Sequence, residues 1–215
     1  MNLIQEGEHT FIEPRKGANV LDVGCRSYSF TNAMLKRGCN VYVVEPDTDV
    51  VSRADVPLIH AALVSRKNNG TNQELIKWST GEGNHLISIG GERPKSHTKQ
   101  LTQCKSITRV MEEFGINFWD IVKLDCEGAE YEILLDWPGV ISRQITVEFH
   151  EHTNANPQGE ATFKKIIEHL SPWYDVVQHV KGPMYQNGRL MCKAINYWDS
   201  LFVLKNKPIN RRKSL

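Results

Sequence analysis

What this sequence lacks narrows its class before anything it contains does. No stretch of about 18 apolar residues occurs, so no membrane-spanning helix is expected. The opening residues, MNLIQEGEHTF, have neither the basic segment nor the apolar run of a secretory signal. The five cysteines (Cys25, Cys39, Cys104, Cys126 and Cys192) are odd in number and form no CxxC pair. That pattern argues against a disulfide framework or a structural zinc, and for reduced thiols in the cytoplasm. Neither sign of charge is in excess: 26 Lys and Arg against 25 Asp and Glu leave a net charge of +1. The overall balance therefore neither asks for nucleic acid nor forbids it. No internal repeat and no interdomain linker interrupts the 215 residues, a length suited to one substantial domain.

What is present alternates short apolar runs with amphipathic stretches, the pattern of a layered α/β domain. Strands are predicted at Asn19–Val23, Val41–Val44, Leu58–Val64, Asp120–Leu124 and Gln144–Phe149, with two more at Tyr174–Val180 and Leu201–Leu204. Helices are predicted from Ser29 to Arg37, from Asp47 to about Ala54 and from Glu127 to about Asp136. A fourth carries Phe163, Ile166, Ile167 and Leu170 at helical spacing. Two closing strands with no helix between them predict an antiparallel edge on an otherwise parallel sheet. The domain is predicted over residues 1–205. Within it, the polar, glycine-bearing stretch 66–100 reads as a protruding hairpin, with strands near Leu75–Trp78 and His85–Ile89, and is a candidate substrate lid. Residues 206–215 read as a basic tail.

Open parallel α/β sheets bind ligands at the carboxyl ends of their strands, so the residues that follow each strand carry the chemistry. After the first strand come Asp22, Gly24, Cys25 and Arg26. A glycine there lets the backbone approach a ligand, and the helix that follows offers free N–H groups. The GxGxxG of nicotinamide-cofactor proteins is missing, because Arg26 and Ser29 stand where its later glycines belong. After the second strand comes Glu45, either a solvated strand-end charge or an acceptor for a ribose diol. After the fourth come Asp125, Glu127 and Glu130, either the capping of a helix start or an acidic ligand site. After the fifth come His150 and His152, flanked by carboxylates. Either histidine can be a structural strand-end group, a base for a substrate hydroxyl, or one of a pair of metal ligands.

The run DIVKLDCEGAEYEIL (Asp120–Leu134) closely resembles the hallmark of the FkbM-type methyltransferases, and Val20–Phe30 and Val41–Asp47 resemble that family's first two motifs. The resemblance covers about residues 18–205. It implies a Rossmann-like class I methyltransferase fold: a mostly parallel seven-stranded sheet with an antiparallel last strand and helices on both faces. It also implies S-adenosyl-L-methionine as cofactor, with O-methylation of a small-molecule or sugar hydroxyl by direct SN2 displacement. On that resemblance Asp22 and Gly24 lie against the methionine part of the cofactor, with Cys25 and Arg26 in the same loop. Glu45 holds the ribose hydroxyls, and Asp125 sits beside the sulfonium or substrate with Glu127 near it. His150 and Asp125 are the expected catalytic residues, and no metal is assigned. The first motif usually runs D-x-G-A-N-x-G; here Arg26 replaces an amide and Tyr28 the last glycine. The alternatives are a non-catalytic cofactor-binding or scaffold protein, an RNA methyltransferase and a metal-assisted O-methyltransferase.

Overall fold

The computed structural model describes residues 2–7, 9–78, 84–89, 97–150, 159–186 and 189–205, with the backbone alone for 89, 159–160 and 179–198. His152 and the basic tail 206–215, both singled out above, lie outside the described residues. Among the described residues no helix is long and apolar enough to cross a membrane.

The chain opens with a hairpin, β1 (Leu3–Glu6) and β2 (His9–Ile12). It then runs through β3 (Asn19–Val23), α1 (Ser29–Lys36), β4 (Asn40–Val44), β5 (Leu58–Ile59), β6 (Ala62–Leu63), β7 (Asn72–Trp78), β8 (His85–Leu86) and β9 (His97–Lys105). It closes with α2 (Ile107–Phe114), β10 (Trp119–Leu124), α3 (Glu130–Leu135), β11 (Ser142–His150), α4 (Gly159–Leu170), β12 (Tyr174–Gln186) and β13 (Arg189–Leu204). The main sheet is mixed, with seven strands in the order β12-β13-β11-β10-β3-β4-β5. Its pairings from β5 across to β11 are parallel, whereas β13 runs antiparallel to both β11 and β12. The antiparallel strand is thus inboard, not at the edge where two closing strands were expected to leave it. The reversal of order at β3 and β10 makes their carboxyl ends the switch point, where such sheets hold ligands.

Strand alternation divides the core in two. Leu21, Val44, Val122 and Val147 join α2, α3 and α4 in one cluster. Val20, Val41, Val43 and Ile121 join α1 and Phe11 of the hairpin in the other. The hairpin did not show in the sequence pattern. It is fastened by a reciprocal pair, Ile12 N–H donating to Gln144 Oε1 (2.7 Å) and Gln144 Nε2 donating to the Ile12 carbonyl (3.0 Å). Phe11, fully buried, meets Phe30 edge to face.

Several expected elements form differently. The run Leu58–Val64 divides: β5 stays in the main sheet and β6 pairs with β9 in a separate four-stranded sheet, β6-β9-β7-β8. The described part of 66–100 contributes β7, β8 and the start of β9 to that sheet, with β7 pairing β8 and β9 antiparallel. The helix expected from Asp47 is absent, because the Asp47 carboxylate is engaged elsewhere. It accepts from its own loop (Asp49 N–H, 2.9 Å), from Lys77 (2.6 Å) and from Asn84 (2.9 Å). Gln100 also donates to the Pro46 carbonyl at 2.7 Å. The second sheet thus clamps the loop that follows Glu45. The helix expected from Glu127 begins only at Glu130, since Glu127 (φ 51) and Gly128 (φ 105) are both left-handed. Helix α2 was not anticipated, although Ser106 caps it by accepting from Arg109 N–H and Gly115 closes it.

Gly24 (φ 78) lies where the β3 and β10 loops touch: a Cβ there would stand 1.8 Å from the Asp125 carbonyl oxygen. Gly24→Ala combines left-handed strain with a backbone clash and should cost about 3 kcal/mol or more. Urea denaturation of this variant is expected to show that loss. A cost under about 1 kcal/mol would mean the two loops are not packed as described.

Candidate active site

The site is built around one lysine. Asp22 and Lys123 are cross-strand partners on adjacent parallel strands, so both side chains point to the face that carries α1 and the hairpin. The Lys123 ammonium, 3% exposed as a residue, lies 3.1 Å from Asp22 and 3.2 Å from Asp125. It donates to the carbonyls of Val23 (3.3 Å) and Gly24 (2.7 Å). Burial alone would lower its pKa, but the two carboxylates outweigh it and hold the amine charged. Burial would likewise raise Asp125; Lys123, with His9 and His150, instead holds that carboxyl far below the usual range. The second oxygen of Asp22 accepts from the Thr31 hydroxyl at 2.6 Å. Asp22, expected against the cofactor, is thus a fully buried support under the loop.

Above this ion cluster the first-motif loop bends through three left-handed residues, Gly24, Arg26 (φ 24) and Tyr28 (φ 57). Tyr28 adopts at a cost the geometry that the usual glycine adopts freely. Its ring packs into the α1-side core, its hydroxyl donates to the Val51 carbonyl (3.0 Å), and the Arg53 guanidinium lies 5.2 Å from the ring centroid. Cys25 is buried, and desolvation together with Asp22 and Glu45 pushes its thiol up, so it stays neutral. Glu45 is 5% exposed and accepts from Arg26 N–H (3.2 Å) and Asp47 N–H (2.9 Å) through different oxygens. Burial raises its pKa, and those two amides pull it back. Beside it opens a cavity of about 430 Å³ lined by Arg26, Tyr28, Asp47, Val50, Val51 and Arg53. That volume is within the range of small-molecule sites, about 300–1,000 Å³.

On the other side of Lys123 is a cluster of carboxylates and imidazoles. In β11 the core residues Ile145, Val147 and Phe149 alternate with Glu148 and His150, which therefore face the hairpin side. His150 Nδ1 donates to Glu130 Oε1 at 3.0 Å. Glu130 is fully buried and fixed by the amides of Cys126 (2.7 Å) and Gly128 (2.9 Å). His150 Nε2 faces Asp125 Oδ1 (3.7 Å), Glu127 Oε2 (3.7 Å) and Glu148 Oε1 (3.9 Å). Burial would lower the imidazole pKa, but Glu127, Glu130 and Glu148 outweigh it and hold it well above its ordinary value. His9 comes in from the hairpin, its Nε2 3.9 Å from Asp125 Oδ2. Burial lowers its pKa, against the pull of Asp125.

The expected site residues that are described gather at one sheet edge, in two groups. Gly24, Cys25, Arg26 and Glu45 make up the first-motif loop and its acidic partner, of which Arg26 lines the cavity; Asp125, Glu127 and His150 form the acid–imidazole cluster; Asp22 and Lys123 join them. Sequence reasoning missed Lys123, His9 and the buried anchor role of Glu130. A lysine inside the apolar strand DIVKL was a readable signal for the first. Nothing in the pattern marked His9.

An open α/β sheet with a switch-point loop, an acidic second-strand end and an acidic fourth-strand end defines a nucleoside-cofactor-binding class. The profile of the methyltransferase FkbM domain matches residues 16–177, and the chain belongs to that family. No curated protein matches it in sequence. Among solved structures, the fibrillarin/Nop5p complex is similar at 10% identity, over 91% of this chain and 76% of that chain, with a TM-score of 0.50. Also similar is the magnesium protoporphyrin IX methyltransferase of Synechocystis PCC 6803 with bound SAM, at 14% identity over 87% and 70% of the two chains, TM-score 0.45. A TehB-like SAM-dependent methyltransferase from Corynebacterium glutamicum shares 9% identity over 89% and 83%, TM-score 0.43.

Lys123→Met would leave the buried Asp22 and the half-buried Asp125 without the ammonium between them, at an expected cost of about 3–5 kcal/mol at pH 7. In the parent protein the depressed Asp125 pKa gives stability that is present above about pH 4 and lost as pH falls. In the variant the largest of the charges that hold this carboxyl down is gone, its desolvation counts for more, and acidification relieves that cost. Denaturation midpoints in chelated buffer should therefore converge as pH drops from 7 to about 4.5. A constant gap would show that Lys123 does not pair with these groups.

Proposed function

We propose that this protein transfers a methyl group from S-adenosylmethionine to the hydroxyl oxygen of a small molecule or sugar. The observation that carries the reading is the placement of Glu45 and Asp125 against the Gly24–Arg26 loop, Glu45 on the Arg26 amide and Asp125 packed on Gly24. The chain's residues suit such a cofactor. Glu45 keeps lone pairs on both oxygens for a ribose diol while its backbone partners hold it still. Tyr28, Val50 and Val51 give the cavity apolar surface for a base ring, and the Arg26 guanidinium suits a terminal carboxylate. When bound, S-adenosylmethionine supplies the reaction with an electrophilic methyl on sulfur.

The protein's own contribution is alignment and charge placement. Lys123 fixes Asp125 and the Gly24 carbonyl relative to each other, so the two loops that meet the reactants move as one. Asp125 faces the reacting end, and Glu127 and His150 line the acceptor side. His150 enters this reading with its expected role changed: its surroundings hold the imidazole pKa well above its ordinary value, so without a bound ion it is not the resting base. The sheet β6-β9-β7-β8 braces the cofactor loop through Lys77, Asn84 and Gln100, a role closer to support than to a lid.

Isothermal titration with S-adenosylmethionine and S-adenosylhomocysteine tests the reading. Saturable micromolar binding is expected, and Glu45→Gln should weaken it about tenfold, equivalent to about 1.4 kcal/mol. If neither nucleoside binds the parent protein, the reading is wrong.

A further inference from the structure

The acid–imidazole cluster holds more ligand chemistry than methyl transfer alone explains. His150 Nε2 has carboxylate oxygens of Asp125 and Glu127 at 3.7 Å and of Glu148 at 3.9 Å. These spacings exceed hydrogen-bond length. They are near those of neighbouring ligands on one ion, about 3.0–3.4 Å for metal–ligand bonds of about 2.1 Å, with a few tenths to close. Two sets of donor atoms, His9–Asp125–Glu148 and Asp125–Glu127–His150, each lie within 4.8 Å of one another and share Asp125.

Three independent features mark the cluster as a built site. The first is the anchoring of His150: its other nitrogen donates to Glu130, a fully buried carboxylate that two backbone amides hold in place. A carboxylate that orients an imidazole from behind is the usual support of a metal-ligating histidine. The second is His9, 4% exposed, with Nδ1 buried and without a hydrogen-bond partner and Nε2 turned to Asp125. The third is backbone strain at Glu127, which takes a left-handed φ of 51° between Cys126 and Gly128 and presents its carboxylate to His150. Charge points the same way. Among the described residues, Asp22, Asp125, Glu127, Glu130 and Glu148 converge on this edge around Lys123 and His150.

We infer that Asp125, Glu127 and His150 bind a divalent cation of the Mn²⁺ or Zn²⁺ type, the ion taking the place of the proton on His150 Nε2, which is released to solvent, with His9 and Glu148 completing its shell. Mixed imidazole and carboxylate donors suit such ions. Glu130 is a positioning residue that acts through His150. The inference deepens the methyltransferase reading, because an ion on the acceptor side would bind and acidify the hydroxyl that receives the methyl group. It rests on that reading for its purpose but not for its test.

The test measures metal alone. The full chain, stripped with chelator, is titrated with Mn²⁺ while the electron paramagnetic signal of the free ion is followed, and Zn²⁺ is then added as competitor. One saturable equivalent is expected. Glu127→Gln and His150→Gln should each weaken it at least tenfold, and Glu130→Gln about tenfold through loss of orientation. Glu132→Gln, on the same helix but directed to Asn68 and Lys67, should leave it unchanged. Circular dichroism of each variant separates lost ligands from lost fold. No saturable binding of either ion, or equal binding by Glu127→Gln and His150→Gln in their folded state, would overturn the inference. Metal binding without S-adenosylmethionine binding would leave the site standing and remove the methyltransferase reading. The reverse would do the opposite.

Discussion

The structure of the site depends on the buried ammonium of Lys123. It comes from the middle strand of the sheet, bridges Asp22 on the neighbouring strand and Asp125 beyond its own strand end, and reaches the carbonyls of Val23 and Gly24. Such a group gains no large stability for its own sake, since desolvating three charges offsets most of their attraction. What it provides is position. Leu124 to Asp125 and Val23 to Gly24 are the ends of different strands, and without a common partner their loops would be related only through the sheet. With Lys123 between them, and with no room for a Cβ on Gly24, the two loops form one rigid edge.

That rigid edge explains how the loop tolerates its unusual letters. Arg26 and Tyr28 occupy left-handed conformations that cost of order 1 kcal/mol or more each. Neither is left to sustain that alone. Arg26 N–H donates to the buried Glu45, and Tyr28 is held by its hydroxyl on Val51, by Arg53 over the ring and by burial against α1. The bulky residue in place of glycine therefore turns into the core and keeps its hydroxyl tied to the next loop. Glu45 is braced in its turn, because the second sheet fixes Asp47 through Lys77 and Asn84. The strain in the loop and the supports around it are parts of one arrangement.

The parts of this fold that could be read from sequence are those where one physical signal dominates. NVLDV, VYVV, DIVKL and QITVEF are continuous apolar strands, and Phe163 to Leu170 repeats at helical spacing; each lies in the element its pattern predicts. Site residues were readable for the same reason, since parallel strands put their carboxyl ends on one edge. The failures occur where tertiary contacts override local preference. Asp47 is a good helix cap, but its carboxylate is taken by Lys77 and Asn84, so no helix follows. Leu58 to Val64 is one apolar run, yet its halves pair with different sheets. The hairpin of His9 to Ile12 is too short to show a period, and its stability comes from Gln144 and Phe30 far along the chain. His9 joins the site only through that long-range contact.

The charge state of the acid–imidazole cluster bears directly on the proposed methyl transfer. Methyl transfer to an oxygen neutralises positive charge at the donor as the new bond forms. Bare carboxylates beside the donor would then stabilise the starting state more than the transition state, and would slow the reaction they appear to serve. Catalysis by this edge requires that its negative charge be largely cancelled before the methyl moves. Lys123 accomplishes this for Asp22 and half of Asp125, and it cannot reach further, because its ammonium is fixed between two strands. Glu127 and Glu148 lie beyond it, within 3.7 and 3.9 Å of the His150 imidazole. The buried Glu130 holds that imidazole in place but adds a further negative charge to the same ring. On the proposed reading, a doubly charged ion in place of the proton on His150 Nε2 would bring more positive charge to this point and supply the acceptor oxygen with an electrophilic partner. The geometry that makes His150 a poor resting base is the geometry that makes it a good ligand.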